Sequence, residues 1–213
     1  MINLVRSLGK PFMSDLLKFE RVFWDNDELV IGIDEAGRGP LAGPLVVAGI
    51  ILPIGYYHPD INDSKKLSIK KRDYLYDVLI HEALAFVVEV VDRQVIDDKN
   101  IYQATKDAMS YIASTLPAKH VLTDAMPLYI DKNVQSIIKG DSKSISIAAA
   151  SILAKVTRDK IMDQYDALYP EYQFIKNKGY PTRAHIQALA DFGYTPIHRL
   201  SYRPVAISKR IKY

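Results

Sequence analysis

LVIGIDEAGRGPLAGPLVVAGIIL, residues 29–52, is an apolar run broken in its middle by two acids and a stretch rich in glycine and proline. Leu29, Val30, Ile31 and Ile33 are aliphatic or β-branched and form too short a run for a helix, which predicts a strand buried on both faces. Asp34 and Glu35 close it. Side chains alternate between the faces of a strand, so two adjacent carboxylates converge on one site only where the strand is finishing and the chain begins to turn. Gly37 and Gly39 supply that turn and leave main-chain amides without side-chain cover, open to a bulky polar ligand. Leu45, Val46, Val47, Ile50, Ile51 and Leu52 predict a second strand, joined to the first by a tight Gly/Pro turn and antiparallel to it. Residues 37–42, GRGPLA, satisfy the spacing G-x-G-x-x-A of a dinucleotide-binding turn, but that fingerprint needs a helix to open at the glycines, and here a strand follows. An acidic pair that merely solubilises a turn is the other reading, and acids closing a buried strand ahead of Gly-x-Gly argue against it.

Composition sets the outer limits. A chain of 213 residues suits one sizeable core better than two large domains, and 48% hydrophobic with 25% charged residues is ordinary globular material. There is no cysteine, which removes disulfides and thiolate metal sites and fits a reducing, cytoplasmic setting. The opening MINLVRSLGKPFM lacks the sustained apolar core of a signal peptide. The longest apolar run, residues 45–52, is too short to cross a bilayer, so no membrane partner is expected. Net charge is +3 but unevenly spread. From residue 176 onward, Lys176, Lys178, Arg183, Arg199, Arg203, Lys209, Arg210 and Lys212 face Asp191 alone, giving +7 and leaving −4 for the rest. An acidic body with a basic end fits a polyanion gripped by one region and processed by another; a solvated basic surface fits it equally.

Along the chain, residues 14–24 read as a short amphipathic helix that Ser14 can cap, with Leu16, Leu17, Phe19, Val22 and Phe23 as its apolar face. After the two strands, Ser68 is placed to cap a helix through Ile69, Leu75, Tyr76 and Leu79. Lys65 and Lys66 stand just before it, where they could reach phosphates or form a solvated pair. Residues 85–91 predict a third strand, and Ile101, Ala104, Ala108, Tyr111, Ile112 and Thr115 keep helical spacing up to Pro117. Residues 120–123 make a fourth strand ending at Asp124, and 134–138 a fifth that runs into Lys139, Gly140 and Asp141. From Ser144 to about residue 165 an alanine-rich pattern predicts a helix burying Ile147, Ala148, Ile152, Ala154, Lys155 and Val156. Thr182 can cap a last helix that Gly193 ends. Strands and helices alternate after the opening pair, which predicts an α/β fold: a mixed five-stranded sheet flanked by helices, with a helical C-terminal segment.

DEAGRGPLAGP, at residues 34–44, resembles the signature of the ribonuclease HII family, the type 2 ribonucleases H. NDSKKLS at 62–68, TDA at 123–125, KGDSKSISIAAASILAKVTRD at 139–159 and NKGYPTRAH at 177–185 extend the resemblance over residues 29–203. It implies a ribonuclease H-like core over 29–165, an N-terminal extension of 1–28, and a basic segment of 166–213 that completes the substrate site. The activity implied is endonucleolytic cleavage of the RNA strand of RNA/DNA hybrids, and of duplex DNA at single embedded ribonucleotides, by a monomer. A non-catalytic hybrid-binding module and another nuclease of the same wider fold are the alternatives.

Asp34, Glu35, Asp124 and Asp141 each stand at the end of a predicted strand or the entrance of a helix, the rim where open α/β sheets build sites. Four acids gathered there raise one another's pKa unless cations neutralise them. An all-oxygen set without Cys or clustered His favours Mg²⁺ or Mn²⁺ over Zn²⁺. Taken alone, Asp141 reads first as a helix N-cap and Asp124 as a turn acid; the resemblance reverses both and places all four on the family's metal-binding acids, implying two ions. It also implies that Gly37, Arg38, Gly39 and Tyr180 read the ribose 2′-hydroxyl. Asp159 reads as an ion-pair partner rather than a ligand. The chain departs from the family pattern at Ala125 and Met126, where many relatives have Gly-Asn, and at Tyr202, where many have phenylalanine.

Overall fold

The protein is described here from a computed structural model that covers residues 15–208. Ser14, expected to cap the first helix, and the basic Lys209, Arg210 and Lys212 lie outside the described residues. Five strands, β1 (Val30–Ala36), β2 (Leu45–Ile51), β3 (Ala85–Val91), β4 (His120–Asp124) and β5 (Asn133–Ile137), form one sheet in the order β3-β2-β1-β4-β5. β1 pairs antiparallel with β2, and β2 with β3. β4 joins β1 in parallel and β5 joins β4 in parallel. The mixed five-stranded sheet expected from the alternation of apolar runs is therefore present.

Parity along the strands decides which side chain meets which helix. Val30, Val46, Ala48, Ile50 and Leu122 pack in the core shared with α5 (Ile145–Leu168) and α2 (Ile69–Glu82), while Ile31, Ile33, Val47 and Val121 pack with α4 (Ile101–Thr115) on the other face. Two glycines allow the helices to come close. A Cβ at Gly32 would overlap the backbone of Ser146 in α5, and one at Gly49 would strike Ile112 of α4 and Leu116 just beyond its end. Close approach explains why α5 is buried almost all round through its first ten residues, where six alanines and serines keep much of the helix surface slim.

The caps expected at Ser68 and Thr182 are present, their side chains accepting from the amides of Lys71 and His185 at the starts of α2 and α7 (Arg183–Phe192), and Ser144, expected as the first residue of its helix, instead caps α5 by accepting from the Ile147 amide. Asp141 is not a helix cap; it lies in a 3₁₀ turn, Gly140–Ser142, one step before Ser144 takes that role. A short helix, α1 (Lys18–Trp24), brings Glu20 wholly inside the protein. The Glu20 carboxylate accepts from Ser144 Oγ at 2.5 Å and from the Ser146 amide at 3.0 Å, so α1 satisfies donors at the N-terminus of α5 from outside that helix. Further helices are α3 (Arg93–Lys99), α6 (Phe174–Asn177) and α8 (Arg203–Ala206). The C-terminal part packs its own apolar cluster of Met162, Tyr172, Phe174, Leu189 and Val205 against Leu41 and Ala42 of the β1–β2 connection.

Three expectations need correction. β1 does not finish at Asp34; it continues to Ala36 because β2 keeps pairing with it as far as Val46. Its link to β2 is a loop over residues 37–44 rather than a tight turn, although the antiparallel pairing holds. The predicted fifth strand ends at Ile137, leaving Ile138 exposed.

Candidate active site

Asp34 and Asp124 share a sheet face because β1 and β4 are parallel neighbours and each acid lies an even number of residues from a side chain, Val30 or Leu122, that packs toward α5. Asp141 reaches the same spot from the turn leading into α5. Each of the three offers an oxygen, and the three oxygens lie within 4.8 Å of one another. Asp124 is fixed by the Gly140 amide, which donates to its Oδ1 at 2.8 Å and so ties the β4 tip to the turn carrying Asp141. Asp34 accepts from the Glu35 amide at 2.7 Å.

Glu35 belongs to the opposite parity and stands apart from the three aspartates, though it lines a cavity together with Asp34. Arg38 reaches its Oε1 at 3.4 Å, while its Oε2 is buried without a hydrogen-bond partner. Lys65 Nζ approaches Asp141 Oδ2 at 3.5 Å. The open cavity, about 450 Å³, is lined by Asp34, Glu35, Gly37, Arg38, Gly39, Lys65 and Tyr180, and deeper by Ser151, Lys155 and Arg72. Lys66 is exposed and not part of this lining.

The electrostatics follow from burial and crowding. Burial first, then the charges of Glu35, Asp124 and Asp141, hold the Asp34 carboxyl well above the usual carboxylate range. Burial also raises Glu35 against the pull of Arg38, and raises Asp124 against the Gly140 amide. Burial opposes the charge on Lys65, yet Asp141 and Asp34 carry its pKa up. A set of hard oxygen donors that repel one another, with one buried carboxylate oxygen left unpartnered, suits divalent cations.

Tyr180 overhangs the other end of the cavity. Its ring lies in van der Waals reach of a Cβ built at Gly39, 3.6 Å away, and Arg158 Cζ is 5.9 Å from its centroid. His185 Nδ1 donates to the Tyr180 carbonyl at 3.0 Å, and His185 Nε2 meets His198 Nε2 at 3.0 Å. The Thr195 amide and hydroxyl both donate to His198 Nδ1, so each imidazole carries one proton. Burial pushes His198 down to about 3 and lowers His185 also.

Arg158, Arg199 and the histidine pair were not singled out from sequence. A cation among the apolar residues of a buried helix face is the signal Arg158 offers; Arg199 counts in sequence as part of a basic surface, but it is entirely buried. Lys178 is ion-paired with Asp163, and Asp159 pairs with Lys155 at 2.7 Å and Arg72 at 3.8 Å, as an ion-pair partner should.

No helix among the described residues is long and apolar enough to cross a membrane. The solved ribonuclease H2 from Pyrococcus horikoshii OT3 superposes with a TM-score of 0.72 over 84% of this chain and 95% of that one, at 24% identity. A Bst ribonuclease HIII in complex with Mn²⁺ superposes with a TM-score of 0.62 over 84% and 68%, at 16% identity. At these identities the likeness speaks for the ribonuclease H-like fold. In sequence, the chain is 52% identical over 202 residues to the ribonuclease HII of Listeria innocua serovar 6a, covering 94% of this chain and 75% of that protein. The family model described as ribonuclease HII matches residues 31–205. A match of that length and a relative of that identity agree with the gathered aspartates, and the chain belongs to the ribonuclease HII family.

Proposed function

We propose that Asp34, Glu35, Asp124 and Asp141 hold two divalent ions, Mg²⁺ or Mn²⁺. On this reading the enzyme hydrolyses the RNA strand of RNA/DNA hybrids and incises 5′ of single ribonucleotides in duplex DNA, leaving 3′-hydroxyl and 5′-phosphate ends. The observation that carries the reading is the meeting of three aspartates, distant in sequence, within 4.8 Å. When bound, such ions supply an activated water and charge neutralisation at the leaving oxygen of an in-line displacement.

The residues of the chain divide the remaining work. Asp34 is the most buried of the acids and has the least freedom to swing away, because the Glu35 amide holds its Oδ1. Glu35 can join by releasing Arg38, a partly exposed contact of 3.4 Å. Lys65 supplies a cation at the cavity rim for a backbone phosphate; Lys66 is set aside from that role. The main chain of Gly37, Arg38 and Gly39 meets the ribose 2′-hydroxyl, and the Tyr180 ring stacks on the sugar that follows. We divide the chain functionally into 1–28, the catalytic core 29–165, and 166–213, which contributes Tyr180. The setting we infer is ribonucleotide removal from DNA in the cytoplasm, with the protein acting as a monomer; the absence of cysteine supports a reducing compartment.

A non-catalytic binding module is not favoured, because the relatives are ribonucleases. Cleavage-site mapping on an end-labelled duplex with one ribonucleotide tests the reading. One cut 5′ of the ribonucleotide with Mg²⁺ or Mn²⁺, and none with chelator, is expected. Cuts at ordinary DNA positions, or cleavage that survives chelation, would refute it.

A further inference from the structure

Arg199 is wholly buried and Arg158 is 1% exposed, yet neither is ion-paired with a carboxylate among the described residues. Their donors go to main-chain carbonyls instead. Arg199 donates to Gly37 O at 2.7 Å, Arg38 O at 3.2 Å and Gly43 O at 3.0 Å. Arg158 holds Pro44 O and Ala42 O on the same loop, and Lys178 O beside Tyr180. Tyr202 adds a second bond to the Arg38 carbonyl, its hydroxyl donating at 2.6 Å while accepting from Arg199 at 3.1 Å.

A trans peptide is planar, with its N–H directed opposite to its C=O. A Gly37 carbonyl drawn inward to Arg199 therefore turns the Arg38 amide outward, and an Arg38 carbonyl held by Arg199 and Tyr202 turns the Gly39 amide outward. Neither amide has an acceptor within the protein among the described residues, and both residues line the cavity. Gly37 and Gly39 could otherwise let these two peptide planes rotate.

We infer that Arg199, assisted by the Tyr202 hydroxyl, is a positioning residue for ribose recognition: it sets the two peptide planes whose free amides distinguish a 2′-hydroxyl from a 2′-hydrogen. This rests on the reading that residues 37–39 meet the ribose. The aspartates lie outside the hydrogen-bond set of Arg199, so the inference separates discrimination from metal binding.

The test uses the full chain as wild type, Arg199→Lys and Tyr202→Phe. Lysine keeps the charge but cannot span three carbonyls; phenylalanine removes one hydroxyl and keeps the ring. Two quantities are measured: Mn²⁺ half-saturation of cleavage, and, with Ca²⁺ replacing Mn²⁺, relative affinity for a duplex with one ribonucleotide against the same duplex in all-DNA form. For Arg199→Lys, the affinity ratio should fall at least tenfold and KM rise, with Mn²⁺ half-saturation within twofold of wild type. For Tyr202→Phe the ratio should fall about threefold, the loss of one neutral hydrogen bond among several. A general loss of folding would instead lower the active fraction equally for every substrate. A folded Arg199→Lys with an unchanged ratio overturns the inference. Should that variant not fold, Tyr202→Phe decides, and an unchanged ratio there overturns it. A wild type that binds the two duplexes equally overturns the ribose reading of residues 37–39 and this inference with it, whereas a discriminating wild type with unaltered variants removes this inference alone.

Discussion

Replacing Gly32 by alanine places one methyl group between β1 and α5 at their closest approach. The added Cβ would lie 2.5 Å from Ser146 Cβ and nearer still to the Ser146 backbone carbonyl. Carbon atoms rest about 3.5–4.0 Å apart, so strand and helix must separate by roughly 1 Å, and backbone cannot rotate out of the way as a side-chain end can. Overpacking of this kind costs about 1–3 kcal/mol, here at the upper end. Stiffening the unfolded chain returns about 0.4–1 kcal/mol, which leaves a net loss of about 2 kcal/mol. At roughly 2–4 °C per kcal/mol for a protein of this size, the metal-free melting temperature should drop by about 4–8 °C. Activity should suffer separately, because Asp34 rides on β1 two residues after Gly32 while Asp141 leads into α5. A displacement of about 1 Å between reacting groups can cost on the order of 100-fold in rate. Thermal melts in chelator and cleavage of a single-ribonucleotide duplex with Mn²⁺ measure the two effects. A variant that melts within about 1 °C of wild type and cuts within about twofold would show that the strand–helix approach neither limits stability nor sets the spacing of the acids.

Asp34→Asn should abolish cleavage yet raise the metal-free melting temperature at pH 8 by about 2 °C or more. The folded carboxyl titrates above its unfolded value, so ionising it destabilises the fold as pH rises through that raised pKa, and the amide removes the effect. A variant that cuts at the wild-type rate, or melts lower, contradicts this. His198 works in the opposite sense. Its folded pKa of about 3 lies below the ordinary imidazole value of 6.5, so the stability it lends is complete above pH 6.5 and is lost as pH falls. His198→Asn should therefore be less stable at pH 7.5 but show a shallower decline between pH 6.5 and 5, by about 1 kcal/mol per pH unit; parallel curves in denaturant titrations would count against a buried neutral pair. Ala125 has φ of 48°, a left-handed conformation, at the position where many relatives carry glycine. Ala125→Gly relieves about 1–2 kcal/mol of strain and adds about 0.4–1 kcal/mol of unfolded-state entropy, so chemical denaturation should find it equal to wild type or up to about 1.5 kcal/mol more stable, with Mn²⁺ dependence unchanged.

Much of the fold is legible because it rests on local rules. The five strands follow from short apolar runs, and the caps at Ser68 and Thr182 from hydroxyls standing just ahead of helical periodicity. Asp34, Asp124 and Asp141 each sit beside such an element boundary, so the sequence carries their candidacy, but it takes the parallel pairing of β1 with β4, and the Gly140 amide's bond to Asp124, to bring them together. The parity argument was harder to apply to Glu35: strand length depends on the pairing partner, and β2 prolongs β1 past the acids. The buried arginines were the least legible. Their partners are carbonyls up to 162 residues away in sequence, and nothing in a run of residues distinguishes a guanidinium that holds a loop from one that faces water.

The Glu20 carboxylate inside the N-terminus of α5 bears on how far the chain can be trimmed. The family match begins at residue 31, and a chain shortened to that point would retain every proposed ligand while discarding the acid that accepts from Ser144 and Ser146. The part matched by the family model is then smaller than the part whose hydrogen bonds close on themselves. A minimal catalytic unit made from this sequence has to begin ahead of Glu20, or provide another acceptor for the first turn of its longest helix.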